Sequence, residues 1–353
     1  MIKTEYYKDL TKMNTFGMKV KARCFMEYDS VADLVDIEFE ELARPVLHIG
    51  GGSNLLFTDD FKGTILHSKI NFIEILDDCH FDQAKRVEKS VLVSVGAGVV
   101  FDDFCAWAAK EGLWGVENLS YIPGEVGASA VQNIGAYGVE VKDVIHKVYC
   151  YDTLEEEFVS FSVDECEYGY RDSVFKDPEI KGRYMVTHVV FALSREPKPR
   201  LEYGHLKEAV LSSERNLTPE VIRRVIIKIR KEKLPEPSVM GSAGSFFKNP
   251  VIKTDHYQRI EAAAKAEFGP DYKVPHYDMP DGMVKVPAAW MIEQCGWKGR
   301  RSGGAAVWGK QPLVIVNYTG EAYPEEIIGL EKRIVASVKA KFDVELHPEV
   351  EHV

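Results

Sequence analysis

The N-terminal part of the chain alternates between strand-like and helix-like hydrophobic patterns. In residues 21–30, KARCFMEYDS, apolar and polar positions alternate with the period of a half-buried strand. Ser30 and Asp33 then have the spacing of a helix cap, and apolar residues recur at helical spacing through 32–43. These patterns predict a short α/β unit. It is followed by a strand at 45–49, a glycine-rich turn and a strand at 63–70.

Strand-like segments dominate the middle of the chain. One clear helix, residues 101–112, is closed by Gly112. After it comes the stretch 122–138, where small residues are so dense that neither the helical nor the strand period prevails, and this favours a long functional loop. The mixture indicates an α+β fold. The predicted strands are 71–76, 90–98, 146–152, 156–162 and 185–194.

The C-terminal part begins after a basic helix. Thr218 has the N-cap position and Pro219 the first helical position, while Pro235 and Pro237 follow the last helical residues. A domain boundary is predicted at these prolines. The remaining elements are helices at 256–268, at 286–296 and from 324 onward, a strand at 312–317 and a strand-like segment at 344–350.

Composition and charge restrict the class of protein. The 353 residues exceed what a single hydrophobic core usually supports, so more than one domain is expected. With 45% hydrophobic and 28% charged residues, the chain is typical of a globular protein. Its net charge of -11 argues against a nucleic-acid or anionic-membrane partner. An anionic ligand would therefore need a local cluster of cations.

Other sequence features argue against metal sites, disulfides and membrane segments. The six cysteines form no CxxC pair and no regular series, which favours buried reduced thiols. The histidines show no metal-ligand spacing, so no metal is expected. The N-terminus lacks an apolar signal region, and no run of about 18 apolar residues occurs. We expect a cytoplasmic protein, with a monomer favoured over an oligomer.

The turn Gly50-Gly51-Gly52-Ser53-Asn54 is the first candidate for ligand binding. Consecutive amides without β-carbons can form an anion-holding concavity, and Ser53 and Asn54 add side-chain donors. The turn lacks the lysine of a P-loop, and no helix follows it as in a dinucleotide fingerprint. A tight turn between strands explains the glycines equally well.

The small residues of 122–138 form the second candidate. They allow the backbone to approach a flat and bulky ligand, whose ring edge the backbone amides can address. An Ω-like surface loop is the alternative, but Val131 and Ile134 within the stretch indicate a packed site. Two such loops on separate segments suggest a dinucleotide cofactor bound by a fold other than the Rossmann type.

Six motifs follow one another along the chain. They are IGGGSNLL (49–56), NLSYIPGEVGASAVQNIGAYGVE (118–140), YGYRDSVFK (168–176), GSAGSFFKNP (241–250), GGAAVWGKQPLVIVN (303–317) and HPEV (347–350). In this order they resemble the UDP-N-acetylenolpyruvoylglucosamine reductases, FAD enzymes of peptidoglycan precursor synthesis with a vanillyl-alcohol-oxidase-like fold. The likeness starts at MNTFG (13–17), and the segment LEYGHL (201–206) is similar to that of type I members.

The resemblance implies three domains and a non-covalently bound FAD. Residues 1–70 with 343–353 and residues 71–234 would be the two FAD-binding subdomains, and 235–342 a third, α+β, substrate-binding domain. The first glycine loop would surround the diphosphate, and the second would lie against the diphosphate and the isoalloxazine. The FAD contacts implied are Gly50, Gly51, Gly52, Ser53, Asn54, Leu55, Ile122, Pro123, Gly124, Gly127, Ala128, Ser129, Asn133, Ile134, Gly135 and Ala136. His48 is expected to be an ordinary strand residue.

The resemblance also implies a reaction in two halves. NADPH reduces the flavin and leaves, and the enolpyruvyl ether of UDP-N-acetylglucosamine then binds in its place. Hydride transfer to the vinyl carbon builds negative charge on the adjacent carbon and its carboxylate, which calls for a cation and a proton donor.

Three catalytic residues are implied by the matching motifs. Arg171 would bind the carboxylate, Ser245 would donate the proton, and Glu349 would support the intermediate. From residue pattern alone these three have ordinary alternatives, namely an ion pair with Asp172, a turn residue and a solvated charge. Glu351 stands where some family members have a basic residue, which puts one supporting charge in doubt.

The basic helix supplies a local cluster of cations. Arg230 and Lys233 are three residues apart, hence on one face, where they can meet a diphosphate. Tyr203 would lie on a loop that closes over this diphosphate, and a surface turn is its alternative. The remaining cations, expected to form a solvated face, are Arg223, Arg224, Lys228 and Lys231. The substrate contacts implied are Tyr137, Tyr203, Arg230, Lys233, Asn249, Lys298 and Gln311.

Three functions are compatible with these patterns. The leading one is an NADPH-dependent, FAD-containing reductase that forms UDP-N-acetylmuramate. The second keeps the fold but acts as an oxidase or dehydrogenase of small alcohols, for which the cations Arg230 and Lys233 would be unnecessary. The third is a flavin-binding or sugar-nucleotide-binding protein without turnover, against which the three catalytic residues argue.

Overall fold

The computed structural model describes residues 1–76, 90–214 and 216–353. The strands among them are β1 Lys3–Asp9, β2 Lys21–Tyr28, β3 Val46–Ile49, β4 Leu55–Leu56, β5 Phe61–Ser68, β6 Ile73–Ile75, β7 Ser90–Gly96, β8 Gly135–Ala136, β9 Val139–Glu140, β10 Ile145–Asp152, β11 Glu157–Ser162, β12 Tyr184–Ser194, β13 Gly241–Ser245, β14 Val251–Lys253, β15 Tyr277–Met279, β16 Met283–Lys285, β17 Arg301–Ser302, β18 Ala305–Val307, β19 Val314–Asn317 and β20 Glu351–His352. The α-helices are α1 Val31–Val35, α2 Phe101–Lys110, α3 Val126–Gln132, α4 Leu206–Ser213, α5 Pro219–Lys233, α6 Thr254–Phe268, α7 Ala288–Gln294 and α8 Pro324–Phe342.

The chain divides into two compact units, in agreement with the expectation of more than one core. The first unit comprises 1–9, 21–52 and 60–231, and the second comprises 10–20, 53–59 and 232–353. The three-domain boundaries implied by the resemblance stay a prediction. Within the described ranges, no helix combines the length and the apolar character needed to cross a bilayer.

Two sheets form the framework of the first unit. One has the strand order β1-β2-β5-β3, in which β2 and β3 both run parallel to β5. Residues 63–68 of β5 are all buried, as expected for a central strand covered on both faces. The other sheet, with the order β11-β10-β12-β7-β6, is antiparallel throughout.

Helix α2 packs its apolar face on the antiparallel sheet. Phe101, Phe104 and Ala108 recur at helical spacing and are all buried. The rings of Phe104 and Phe191 lie 4.6 Å apart between centroids, which joins the helix to β12. Gly112, at φ +70°, ends the helix in the left-handed conformation that glycine adopts without strain.

In the second unit, the segment 10–20 adjoins the sheet β13-β19-β18-β17. The N-terminal segment joins it through the amide of Ser242, which donates to the carbonyl of Thr15 over 2.9 Å. Near the C-terminus, β20 runs parallel to β4. The predicted strand at 344–350 is therefore displaced by a few residues, because the pairing partner Leu55–Leu56 lies opposite Glu351–His352.

Most of the predicted elements are confirmed, and two more need correction besides the displaced C-terminal strand. The cap of α1 forms, with the amide of Asp33 donating to the Ser30 hydroxyl over 3.1 Å, but the helix ends at Val35. Ile37 and Phe39 are both buried although they are two residues apart, an arrangement that one helix face cannot provide.

The second correction concerns the predicted long loop at 122–138, which contains α3 and strand β8. Small residues permit this helix to lie close to the sheet, since a Cβ on Gly127 would come within 2.9 Å of the Ala97 Cβ. Of the cysteines, Cys79 lies outside the described residues and Cys295 is half-buried. The buried free thiols are Cys24, Cys105, Cys150 and Cys166.

Candidate functional site

The two predicted glycine loops adjoin each other in the first unit. A Cβ on Gly50 would lie 3.1 Å from the Ala128 Cβ and 3.3 Å from a carboxylate oxygen of Glu125. A Cβ on Gly51 would lie 3.6 Å from the Cα of Gly124. The loops, far apart in sequence, thus form one surface poor in side chains. Such a surface fits a flat, phosphate-bearing ligand that must approach the backbone closely.

Helix α3 is anchored in the fold by its own backbone. The amides of Val126 and Gly127 donate to the carbonyls of Val99 and Ala97 over 2.9 Å and 3.0 Å. The Ser129 hydroxyl donates to the Val126 carbonyl over 2.7 Å and is buried. Hydrogen bonds within the protein therefore hold α3 in position, and the Ser129 hydroxyl makes one of them.

Asn133 has a similar structural role at the end of α3. It adopts the left-handed conformation, at φ 43°, and is fully buried. Its side-chain amide donates to the Gly169 carbonyl over 2.7 Å and to the Glu140 carboxylate over 3.2 Å. The Asn133 side chain thereby ties the second glycine loop to the segment that carries Arg171.

Arg171 lies against the second glycine loop. Its guanidinium donates to the Gly135 carbonyl over 2.6 Å and to the Asn133 carbonyl over 3.3 Å. A Cβ on Gly135 would lie 2.8 Å from Nη1 of Arg171 and 2.9 Å from the Val139 carbonyl oxygen, so a side chain here would displace the guanidinium or the backbone of β9. Arg171 itself has a φ of +56°, an uncommon conformation for a non-glycine residue. The alternative of a surface ion pair with Asp172 does not account for these contacts.

Ser245 and Glu349 lie on neighbouring backbones in the second unit. Ser245 is exposed at the end of β13, and the carbonyl of the next residue, Phe246, accepts from the Glu349 amide over 2.8 Å. Phe247 pairs with Pro348 in the same antiparallel arrangement. Because both phenylalanines are buried, they anchor the strand end on which Ser245 is presented.

The first glycine loop continues toward Glu349 within the second unit. The Asn54 side-chain amide donates to the Glu349 carbonyl over 3.1 Å, and the Glu351 amide donates to the Asn54 carbonyl over 2.9 Å. Ser53 and Leu55, on either side of Asn54, are half-buried. The predicted FAD-binding residue Asn54 and the predicted catalytic residue Glu349 are thus joined directly.

Three of the predicted substrate residues come together in the first unit. The Arg230 Nε donates to the Tyr121 carbonyl over 3.1 Å, and the Arg230 guanidinium also bonds to the Tyr137 hydroxyl. The Tyr137 ring meets that of Tyr203 edge-on, with centroids 6.0 Å apart. Burial lowers the pKa of Arg230 and raises the pKa of Tyr137. An arginine remains protonated under such conditions, so the group offers a half-buried cation bonded to a backbone carbonyl and a phenol.

The other predicted substrate residues belong to the second unit. The side-chain oxygen of Asn249 accepts from the amide of Ala288 over 2.9 Å, at the start of α7. Lys298 pairs with Glu293 over 2.7 Å at the surface. Lys233 is exposed and its carbonyl accepts from the Trp308 indole, while Gln311 is half-buried.

Arg223 was expected to lie on a solvated face of α5, and this expectation is wrong. This guanidinium forms a bidentate pair with Asp102 on α2, including an Nη2–Oδ2 contact of 2.9 Å, and its side chain is 16% exposed. Asp102 also accepts from the Tyr121 amide. Burial by itself would raise the pKa of Asp102, but Arg223 and the Tyr121 amide outweigh it and lower that pKa. Arg224, with a 59% exposed side chain, matches the expectation.

No pattern in the sequence singled out Asp102. Its carboxylate nevertheless holds the backbone of Tyr121, whose carbonyl accepts the hydrogen bond from Arg230. An acid in the first turn of a helix is ordinary, so its position gave no signal. His48 lies on β3 as expected, with Nε2 2.8 Å from the Tyr28 hydroxyl. Burial lowers the pKa of His48 to about 4, so this ring is neutral at pH 7.

Comparison with known proteins identifies relatives across the whole chain. Residues 23–157 match the FAD binding domain family, and residues 236–353 match the family described as UDP-N-acetylenolpyruvoylglucosamine reductase, C-terminal domain. The UDP-N-acetylenolpyruvoylglucosamine reductase of Bacteroides fragilis (strain YCH46) is 49% identical over 345 residues, covering 98% of both chains. That of Neisseria meningitidis serogroup C (strain 053442) is 45% identical over 348 residues, covering 98% of this chain and 96% of the relative.

A solved structure supports the same fold. The crystal structure of UDP-N-acetylenolpyruvylglucosamine reductase from Thermus caldophilus matches with a TM-score of 0.64 at 22% identity. The match covers 100% of this chain and 98% of that chain. The α+β architecture predicted from the sequence is therefore confirmed.

Proposed function

Because the chain belongs to the UDP-N-acetylenolpyruvoylglucosamine reductase family, we propose that it reduces the enolpyruvyl ether of UDP-N-acetylglucosamine to UDP-N-acetylmuramate. FAD is the bound cofactor and NADPH the electron donor. The observation that carries the proposal is Arg171, held against a side-chain-poor loop in a chain that matches these reductases over 98% of its length. The protein would act in the cytoplasm on a UDP-sugar, with no nucleic-acid partner.

The two adjoining glycine loops would hold FAD. The close packing of Gly50 on Ala128, and of Gly51 on Gly124, leaves backbone as the main surface available to a ligand. Such a surface suits a diphosphate and a flat ring, because amide donors can approach both without intervening side chains. When bound, FAD supplies the hydride that it receives from NADPH and that the vinyl carbon of the substrate accepts.

Arg171 would bind the substrate carboxylate. As hydride arrives at the vinyl carbon, negative charge spreads to the neighbouring carbon and its carboxylate, and a guanidinium stabilises this charge more in the transition state than in the ground state. The bonds from Arg171 to Gly135 and Asn133 fix the guanidinium before the substrate binds. The arginine therefore pays little reorganisation energy during the reaction.

Ser245 would donate the proton to the carbon that carries the developing charge. The residue is exposed at the end of β13, whereas the next two residues are buried, so its hydroxyl is accessible on a rigid support. A serine hydroxyl is a weak acid and requires neighbouring donors or cations to stabilise its alkoxide. Glu349, on the adjacent backbone, would organise this proton network.

The aromatic-cation cluster would bind the sugar nucleotide. Arg230 is a half-buried cation that bonds to the Tyr121 carbonyl and the Tyr137 hydroxyl, and Lys233 adds positive charge on the same helix. Charge-assisted hydrogen bonds from such groups suit a diphosphate. Tyr203, whose ring meets Tyr137, lies exposed on the adjoining segment and would cover the bound substrate. A small neutral alcohol would require none of these cations, which disfavours the oxidase alternative.

The proposal can be tested on the purified protein. We expect bound flavin absorbance, and NADPH oxidation under anaerobic conditions that depends on the enolpyruvyl sugar nucleotide. The same assay with small alcohols as substrates serves as the comparison. Alcohol-dependent reduction of the flavin, without any response to the sugar nucleotide, would favour the oxidase function instead.

A further inference from the structure

A buried histidine lies between two carboxylates in the first unit. His67, on β5, is 2% exposed. Its Nδ1 lies 3.1 Å from Oε1 of Glu27, and its Nε2 lies 3.0 Å from Oε1 of Glu125. Both ring nitrogens therefore face acceptor oxygens, and neither the proposed catalysis nor the proposed substrate binding uses this group.

Glu125 connects the histidine to both glycine loops. It directly precedes α3 in the second loop, is 7% exposed, and has its Oε2 at 3.3 Å from where a Cβ on Gly50 would be. A buried acid against a loop that is proposed to hold a diphosphate is unfavourable by itself, because like charges repel strongly where water is excluded. The charge of Glu125 therefore needs compensation.

The geometry of His67 supplies that compensation. A neutral imidazole has one N–H donor, so the ring can donate to both carboxylates only as the imidazolium. The neighbouring His48 is no substitute, because burial and then the charge of His67 lower the pKa of His48 to about 4. With His67 charged, the group of Glu27, His67 and Glu125 carries one net negative charge instead of two.

We propose that His67 is a positioning residue for FAD, which neutralises and orients Glu125 so that the two glycine loops can accept the anionic diphosphate. The inference rests on the proposed binding of FAD to these loops and concerns cofactor affinity, not turnover. A residue that only filled space would have no specific dependence on the charge of Glu125. The charge dependence can therefore be isolated by changing both residues.

The test compares His67→Gln, Glu125→Gln and the double variant, each titrated with FAD after removal of the flavin and followed by quenching of flavin fluorescence. His67→Gln leaves two uncompensated acids, and we expect it to weaken FAD binding about tenfold or more. Adding Glu125→Gln removes one of these acids and should restore affinity by about threefold or more. A double variant that binds FAD as weakly as His67→Gln, or more weakly, would overturn the proposal.

A matched control and a fallback keep the test decisive. His188→Gln changes a half-buried histidine of the first unit that stacks on Tyr149 in the antiparallel sheet, and FAD affinity should not change. If circular dichroism shows that His67→Gln does not fold, the FAD affinity of the single variant Glu125→Gln provides the test. Affinity equal to or tighter than that of the parent supports the proposal, and a loss of about threefold or more contradicts it.

A further variant separates this inference from the proposed function. Gly50→Ala changes no charge, and its methyl group would meet both the Ala128 Cβ at 3.1 Å and the Glu125 carboxylate at 3.3 Å, so it disturbs the contact between the loops while His67 and Glu125 keep their charges. Unchanged FAD affinity in Gly50→Ala would contradict the binding of FAD to the loops, whereas the double variant of His67 and Glu125 addresses only the compensation of charge.

Discussion

Arg171 and Ser245, the proposed carboxylate-binding and proton-donating residues, are each held by their backbone surroundings. Arg171 has a left-handed backbone and bonds to two carbonyls, and Ser245 follows a glycine at φ +70° and precedes two buried phenylalanines. Their sequence surroundings suggested an ion pair and a turn. Only the resemblance to known reductases selected them, because strain and anchoring of this kind have no signature in residue spacing.

Ser245→Ala should separate the two half-reactions. We expect reduction of the flavin by NADPH to remain within about threefold of the parent rate, and reoxidation by the enolpyruvyl substrate to slow by about a hundredfold or more. Rapid mixing under anaerobic conditions measures both rates. Ser242→Ala, a buried position on the same strand, controls for damage to β13. Equal losses in both halves for Ser245→Ala would contradict a role as proton donor.

Gly50→Ala tests the contact between the glycine loops. The new methyl group would lie 3.1 Å from the Ala128 Cβ, so the loops must separate by a few tenths of an ångström. We expect FAD affinity to fall by about tenfold, because misplaced amide donors lose charge-assisted hydrogen bonds. Gly329→Ala is the matched control, since its methyl group would meet nothing within 4 Å in α8. That substitution should leave FAD binding intact and stabilise the protein by about 0.5–1 kcal/mol.

At the scale of elements, the sequence predicted those with a clear hydrophobic period and missed those that depend on tertiary contacts. The helix 101–112 and the helix beginning at Thr218 have both periodicity and caps, and both form. Helix α3 lacks a strong period because its face against the sheet is made of small residues. In the site, spacing alone marked the two glycine loops, but not their contact with each other.

The link between α2 and α5 was another tertiary feature that no local pattern predicted. Asp102 and Arg223 are more than a hundred residues apart, and their pairing buries the Arg223 guanidinium, which was expected to be solvated. This pair holds Tyr121, whose carbonyl accepts from Arg230. The Asp102–Arg223 pair should therefore also support the proposed substrate-binding cluster.

Asp102→Asn should lower the free energy of unfolding at pH 7 by about 2 kcal/mol, since it leaves a partly buried guanidinium without its charge partner. The pKa of Asp102 is lowered in the folded state, so the carboxylate contributes stability above its unfolded pKa of about 4. This contribution is lost as the pH falls through the folded pKa. Urea denaturation at several pH values should show the difference between parent and variant shrinking in acid.

Arg224→Gln provides the comparison for that experiment. Arg224 is adjacent in sequence but pairs with Glu214 at the surface, where both side chains are about half exposed. Its substitution should change stability by about 0.5 kcal/mol or less at every pH. A pH-independent difference between the parent and Asp102→Asn would show that the carboxylate charge is not the source of the stabilisation.

At the scale of the whole molecule, the chain has a net charge of -11 and yet places positively charged side chains at particular positions. Arg171 donates to the carbonyls of Gly135 and Asn133, and Arg230 donates to the carbonyl of Tyr121, so each guanidinium is held in place within the first unit. Arg171 belongs to the first unit, and Ser245 and Glu349 belong to the second. The resemblance predicted these residues, whereas length predicted only more than one core, and charge predicted only that an anionic ligand would need a local cluster of cations.

The most direct test of the reductase function is a single anaerobic turnover. The flavoprotein is reduced with one equivalent of NADPH, mixed with the enolpyruvyl ether of UDP-N-acetylglucosamine, and followed by flavin absorbance and by mass spectrometry of the nucleotide. We predict full return of the oxidised flavin spectrum and one equivalent of UDP-N-acetylmuramate, heavier than the substrate by two hydrogens. Reduced flavin that persists in the presence of saturating substrate, with the sugar nucleotide recovered unchanged, would contradict it.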